Sequence, residues 1–315
     1  MIKLRGEKAV GHSTGKLILV GEHSVVYHQP AIALSFPLVE VKAIVEKAPD
    51  GISLDSSYYV GPLNNVPEKL QGIVACIEET LKHLNQPATG LRIKLDSTIP
   101  LGRGLGSSAA IAIALVKSLF NYFLRQVSKQ ELMDLVHLAE TYAHGNPSGI
   151  DMEAAISDQP LWFEKDKGTK PLELGGAFHL VVADTGRIGD THAAVASIKA
   201  KFKSQPQVTQ TSINRLGEIT LKAGQALSSG DSELLGESLN SAQMELDSLG
   251  VSDQGINQLV ETARKLGALG AKLTGGGRGG CVLALAKNGA DAALLANGLK
   301  DAGAHQTWFF TLEKN

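Results

Sequence analysis

Two cysteines, Cys76 and Cys281, are all that 315 residues hold, and they stand far apart in the apolar stretches "GIVACIEE" and "GGCVLALA". That is too little for a disulfide framework or a cysteine metal set, and both read as reduced, packed thiols. Charge of one sign is not in excess either. Thirty Lys and Arg face 32 Asp and Glu, a formal net charge of −2, and no basic block occurs. This argues against nucleic acid or an anionic membrane as the main partner. No apolar run is long enough to span a bilayer, and the opening "MIKLRGEKAVGHS" lacks the apolar core of a secretory signal. A soluble, cytoplasmic protein is the expectation. Internal repeats and low-complexity segments are missing as well.

What the chain has in quantity is α/β alternation and glycine, 34 residues of it. The length suits two domains of about 150 residues each. "KLILVGEHSVVY" and "PAIALSFPLVEVKAIVEKA" read as strands joined by short turns. From Pro67 onward, Leu70, Val74, Ile77, Leu81 and Leu84 recur at helical spacing. "GLRIKLDS" alternates as a strand does, and helices follow over about 107–124 and over "SKQELMDLVHLAETYAHGN", the latter opened by Ser128 and Glu131 in capping-box spacing. "GGAFHLVVADTG" starts a more helix-rich half, with helices near 192–202, 212–228, 232–248 and 253–267, a further helix, and a last strand "HQTWFFTLE". A domain break is expected at this segment, the helix-rich half following it.

The glycines concentrate at two places. In "IPLGRGLGSSAAIAIALVKSL", Gly102, Gly104 and Gly106 strip side chains from a loop that runs straight into a helix. Ser107 and Ser108 fall where a helix leaves its first N–H groups unpaired, so bare amides and the positive end of the helix dipole together suit a phosphate. A mobile loop with a capping serine is the plainer alternative. The spacing is not the dinucleotide fingerprint, and it is not a Walker loop. The nearest Walker candidate, "GHSTGKL", has three residues between its glycines instead of four, and Leu17 where a hydroxyl should bind magnesium. The second cluster, "TGGGRGGC", places five glycines and Arg278 in residues 275–280 between apolar strands. It suggests close approach of backbone to a ligand or to another loop.

Phosphoryl transfer also needs a divalent metal, a positive group at the transferred phosphoryl and a carboxylate for the acceptor hydroxyl. Glu140 lies at the boundary of the apolar set Leu132, Val136, Ala139 and Ala143. Asp151 follows "NPSG" and falls in the first turn of a new helix, where the dipole favours an ionised acid. Lys16 stands at the mouth of the strand "LILV", and "GEH", Gly21 to His23, closes that strand with a carboxylate and an imidazole. Taken singly, each of these has an ordinary structural explanation: a solvated glutamate, a helix-start aspartate, a lysine reaching for water.

In this order, "GKLILVGEHSVVY", "PLGRGLGSSAA", "HGNPSGIDMEAA" and "KLTGGGRGGCVLAL" resemble the signature segments of the GHMP small-molecule kinases, a likeness running from residue 15 to about 285. The resemblance implies a two-domain fold. Residues 1–177 would form an N-terminal ATP-binding α/β domain with a left-handed βαβ crossover, and 178–315 a C-terminal α+β domain of ferredoxin-like type. It implies ATP-dependent phosphorylation of an alcohol. The ATP phosphates would lie on Pro100, Gly102, Arg103, Gly104, Leu105, Gly106, Ser107 and Ser108. Ser108 and Glu140 would hold Mg²⁺, Asp151 would be the catalytic carboxylate, and Lys16 would lie beside it. Glu22 and His23 would line the acceptor pocket, with Thr191 near the substrate. Arg278 departs from the family pattern, in which many members carry a small residue there. Within the family the segments are most similar to those of the mevalonate-phosphorylating branch. "GEHSVVY" mixes Glu22 and His23 with Val25 and Val26, which suits a short branched hydroxy acid better than a sugar. Phosphomevalonate as acceptor and an inactive ligand sensor are the alternatives, and a nucleotide-dependent oxidoreductase is a weaker one. Oligomeric state, homodimer included, stays open.

Overall fold

The computed structural model describes residues 7–144 and 149–314. Along the chain run β1 (Lys8–Val20), β2 (Ala31–Lys47), β3 (Ile52–Ser56), β4 (Tyr59–Pro62), α1 (Gln71–His83), β5 (Leu91–Ser97), α2 (Ser107–Tyr122), α3 (Lys129–His144) and α4 (Ile150–Ile156). Then come β6 (Leu161–Glu164), β7 (Gly168–Pro171), β8 (Phe178–Asp184), α5 (Thr191–Ser204), α6 (Pro206–Ser229), α7 (Ser232–Ser248), α8 (Gln254–Lys265), β9 (Gly270–Thr274), β10 (Cys281–Ala286), α9 (Gly289–Asp301) and β11 (Gln306–Leu312). No helix among the described residues is long and apolar enough to cross a membrane.

The chain falls into two compact units. One takes the described residues of Met1–Lys16, Ser35–Pro100 and Gly106–Ile156, the other those of Leu17–Leu34, Leu101–Leu105 and Ser157–Asn315. A single cut near Ala177 follows sequence order, whereas the units interleave along the chain.

In the first unit the strands lie in the order β4-β3-β5-β2. β3 and β5 pair in parallel, and α1 makes the connection that a parallel pair demands. β5 buries Leu91, Ile93 and Leu95 and turns Arg92, Lys94 and Asp96 outward, the period of a half-covered strand. α2 contributes an almost wholly buried run, Ala109 to Leu119, and packs against α1, α3 and α4. The capping box opens α3: Ser128 N–H donates to Glu131 Oε2 at 2.9 Å, and Glu131 N–H donates to Ser128 Oγ at 3.2 Å.

In the second unit Ala31–Ala33 pair with Leu161–Phe163, and β6 pairs with β7. A separate sheet has the order β11-β8-β10-β9, every neighbour antiparallel. With α9 between β10 and β11, this is the strand order of a ferredoxin-like unit, its first crossover enlarged by α5 to α8. Asp231 starts α7 by accepting from Leu234 N–H, after Gly230 has closed α6 in the left-handed region.

Two local expectations need correction. The helix foreseen from Pro67 starts at Gln71, because residues 68–70 wind as a tighter 3-10 turn and Leu70 sits at φ −108° and ψ 8°, outside the α region. "SVVY" is not strand but a 3-10 turn, Ser24–Tyr27: the chain has already left the extended region at Gly21, φ 102°, and His23, φ 60°.

Candidate active site

In the first unit, Lys16 leaves β1 with its side chain almost fully buried, and its Nζ lies 2.8 Å from Asp151 Oδ1. Asp151 is in the first turn of α4, as its spacing suggested, and its side chain stays about a third exposed, 35 %. Residues 145–148, which include most of the segment "NPSG" expected to turn or enter a helix, lie outside the described residues. Thr14 ties the same strand to the same helix, donating to Ala155 carbonyl at 3.4 Å and meeting Ser35 Oγ at 2.8 Å.

Gly106 answers for one of the loop's glycines. It stands at φ 73° and ψ 31°, and a Cβ there would lie 2.6 Å from Lys16 Cγ. The missing side chain is the space through which the lysine stem runs to Asp151. Beyond it no side chain caps α2, so the amides that begin this 16-residue helix are offered outward. Ser107 Oγ is buried with no hydrogen-bond partner among the described residues, a hydroxyl that lacks an oxygen to pair with. Ser108 Oγ donates to Glu140 Oε1 at 2.5 Å, and Glu140 is 4 % exposed.

No group of three or more His, Cys, Asp and Glu among the described residues is arranged to hold a metal. A serine hydroxyl beside one buried carboxylate nevertheless fits Mg²⁺. That ion keeps several waters and takes one or two carboxylates together with substrate phosphates.

In the second unit, Leu101–Leu105 carries the rest of the loop. Leu105 is buried, so only its backbone is available to a ligand. Arg103 Nε lies 2.7 Å from Asp184 Oδ1, Arg103 Nη2 donates to Gly186 carbonyl at 2.8 Å, and Gly189 N–H donates to Gly102 carbonyl at 2.7 Å. Gly104 and Gly275 pack backbone on backbone: a Cβ on Gly275 would lie 2.8 Å from Gly104 Cα. The two glycine clusters of the sequence therefore face each other. Arg278 points its guanidinium away, donating from Nε to Gly250 carbonyl at 3.1 Å and from Nη2 to Ser197 Oγ at 2.8 Å.

His23 and Thr191, far apart in sequence, meet at Gly276. The ring Nε2 lies 3.0 Å from Gly276 carbonyl, which can only accept, so Nε2 carries the proton and Nδ1 is an acceptor. A Cβ on Gly276 would lie 2.0 Å from Thr191 Oγ1. Burial pushes the His23 imidazole down to about 4, opposed by the Gly276 hydrogen bond and aided by the Lys272 cation. It is neutral near pH 7. Glu22 is 1 % exposed and salt-bridged to Lys272, itself fully buried on β9 and also donating to Leu273 carbonyl at 2.5 Å. Burial lowers the Lys272 pKa, and Glu22 resists that. Glu22 is thus engaged by Lys272 inside the protein.

Lys272 and Asp184 escaped the sequence reading. The signal was present: each is a lone charge in a strand otherwise built of small and apolar residues, "GAKLT" and "FHLVVAD", which must find a partner if buried.

Two family models match the chain, the GHMP kinases N terminal domain over residues 71–159 and the GHMP kinases C terminal model over 224–305. The mevalonate kinase of Pyrococcus furiosus is 34 % identical over 304 residues, covering 89 % of this chain and 90 % of that protein. Among solved structures, the mevalonate kinase of L. major in complex with R-mevalonate aligns at TM-score 0.85 and 27 % identity, covering 100 % of this chain and 98 % of that one. The mevalonate kinase of methicillin-resistant Staphylococcus aureus MRSA252 aligns at 0.76 and 32 %, covering 98 % and 100 %. The strand orders of both units, the paired glycine loops and these likenesses agree, and the chain belongs to the GHMP kinase family.

Proposed function

We propose that this kinase transfers the γ-phosphoryl of ATP to the primary hydroxyl of mevalonate, giving 5-phosphomevalonate. The observation that carries the reading is the Lys16–Asp151 ion pair at 2.8 Å, its lysine stem threaded past Gly106 at the uncapped start of α2. Asp151 accepts the hydroxyl proton as that oxygen bonds to the γ-phosphorus and the bond to the ADP oxygen breaks. Lys16 holds Asp151 in place and stabilises the charge that gathers on the transferred group. The amides of the glycine-serine turn and the Ser107 hydroxyl bind phosphate oxygens. Ser108 and Glu140 would hold Mg²⁺, which when bound neutralises phosphate charge.

For the acceptor, three features support mevalonate. The curated and solved relatives named above carry that activity in their names, and the L. major enzyme was crystallised with R-mevalonate. His23 Nδ1 and Thr191 Oγ1 suit hydroxyl groups. Glu22, His23 and Thr191 offer no positive charge near pH 7, since the neighbouring Lys272 is buried against Glu22. 5-Phosphomevalonate adds about 1.5–2 negative charges to the single carboxylate of mevalonate and would need cations there. An inactive sensor is disfavoured, because the Lys16–Asp151 pair serves no ligand-sensing purpose by itself. The test is ADP release across mevalonate, 5-phosphomevalonate, galactose and homoserine. Mevalonate should exceed each of the others by at least about a hundredfold in kcat/KM, a gap of near 3 kcal/mol in transition-state binding. Equal rates with any other acceptor would defeat the assignment.

A further inference from the structure

A cationic side chain in the middle of a phosphate-binding loop invites one reading, that it grips phosphate. The contacts of Arg103 say otherwise. Its Nε lies 2.7 Å from Asp184 Oδ1 as an ion pair without hydrogen-bond alignment, its Nη2 donates to Gly186 carbonyl at 2.8 Å, and its Nη1 donates to its own loop at Leu101 carbonyl, 3.4 Å. Only 13 % of the side chain is exposed.

The partner is equally committed. Asp184 ends β8, a central strand of the four-stranded sheet, where it opposes Cys281 of β10 and Gln306 of β11. It is fully buried, and the Oδ1 that meets Arg103 also accepts from Gly186 N–H at 2.8 Å. Asp184 Oδ2 has no hydrogen-bond partner among the described residues. Moving the guanidinium to a phosphate would strand a buried carboxylate, one of the most unfavourable changes a folded chain can make. Around this pair the loop is held at two further points, Gly102 carbonyl on Gly189 N–H and Gly104 against Gly275.

We propose that Arg103 is a positioning residue: with Asp184 it anchors the phosphate loop to the sheet, fixes the directions of the loop amides, and does not itself bind phosphate. The inference rests on the ATP-binding reading given above. It makes the two members of the pair equivalent. The link from Asp184 to the loop runs through Arg103, so removing either charge should loosen the same amides. A phosphate-binding arginine predicts the opposite for Asp184, because neutralising its counter-ion would free the cation for ATP.

Calorimetric titration of MgATP into the wild type, R103K, R103M, D184N and the R103M/D184N double variant separates these. Anchoring predicts that R103M and D184N each weaken MgATP by about tenfold or more, as loss of a charge-assisted pair does, while the double variant is little worse than either alone. R103K, which keeps the charge but not the planar fork, should fall with R103M. The KM for the acceptor should stay within about threefold of wild type, a split that general unfolding would not give. Thermal melts identify variants that fail to fold, and R103K, the mildest change, decides the matter if the others do. D184N binding MgATP as well as or better than wild type, or R103K retaining wild-type affinity, would overturn the proposal while leaving the kinase reading intact. No MgATP binding by the wild type itself would overturn both.

Discussion

Gly106→Ala isolates the link between the glycine loop and the catalytic pair. Two costs add at this position. The backbone at φ 73° lies in the left-handed region, where an alanine is less stable by about 1–2 kcal/mol. The new methyl would also sit 2.6 Å from Lys16 Cγ and 3.2 Å from Cε, whereas carbon atoms prefer about 3.5–4.0 Å, so the stem must move by roughly 1 Å. Lys16 is only 3 % exposed, and its Nζ is fixed on Asp151 at 2.8 Å, so the displacement is passed to the ion pair. The strain alone should lower Tm by roughly 2–8 °C. A misplacement of about 1 Å at the reacting groups can reduce turnover about a hundredfold, and kcat at saturating ATP and acceptor should fall on that scale. Gly102→Ala is the matched comparison. Its φ of 66° imposes similar strain, but its methyl meets Ile188 Cγ2, the end of an exposed side chain that can rotate aside. ADP release measured by a coupled assay, with melts of all three proteins, checks the reasoning. G106A turning over as fast as G102A would refute it.

Asp151→Asn keeps shape and removes the proton acceptor, so kcat should drop at least about a hundredfold with little change in ATP affinity, and near-normal turnover would remove Asp151 from the mechanism. Glu140→Gln should raise the magnesium concentration needed for half-maximal rate without moving the melt much; an unchanged magnesium dependence would return Glu140 to a structural role. His23 adds a pH effect on stability. Its native pKa of about 4 lies below the ordinary 6.5, so between those values the unfolded chain takes up a proton that the native chain refuses. Stability should therefore fall as pH drops from 6.5 toward 4, by up to about 3 kcal/mol from this group. His23→Gln should remove that part of the slope in urea unfolding, and identical slopes in the two proteins would contradict the burial argument.

The elements that could be read in the sequence were those whose own residues state their geometry. α2 announced itself through glycines, serines and an apolar run, α3 through its capping box, and β5 through strict alternation. Lys16 and Asp151 were each readable as a position, but their 2.8 Å contact was implied only by family resemblance, because 135 residues of chain separate them and no local pattern encodes the meeting. The reach of β1 back to Lys8 was missed, since its early half mixes exposed and buried residues without clear alternation. Hidden for the same reason were the long-range pairs Arg103–Asp184 and Glu22–Lys272. "GEHSVVY" misled because Val and Tyr favour strands, while the positive φ of Gly21 and His23 decides the turn. "TGGGRGGC" was legible as a place of close backbone approach, and the partner proved to be the first glycine loop.

The acceptor is the central claim, and competition tests it most directly. Equal concentrations of mevalonate and 5-phosphomevalonate, offered together with limiting MgATP, can be followed by phosphorus NMR. The account predicts that the phosphomonoester signal of 5-phosphomevalonate, present from the start, grows in step with ADP and that no diphosphate ester forms while mevalonate remains. A diphosphate ester appearing first, with mevalonate left unchanged, would contradict it.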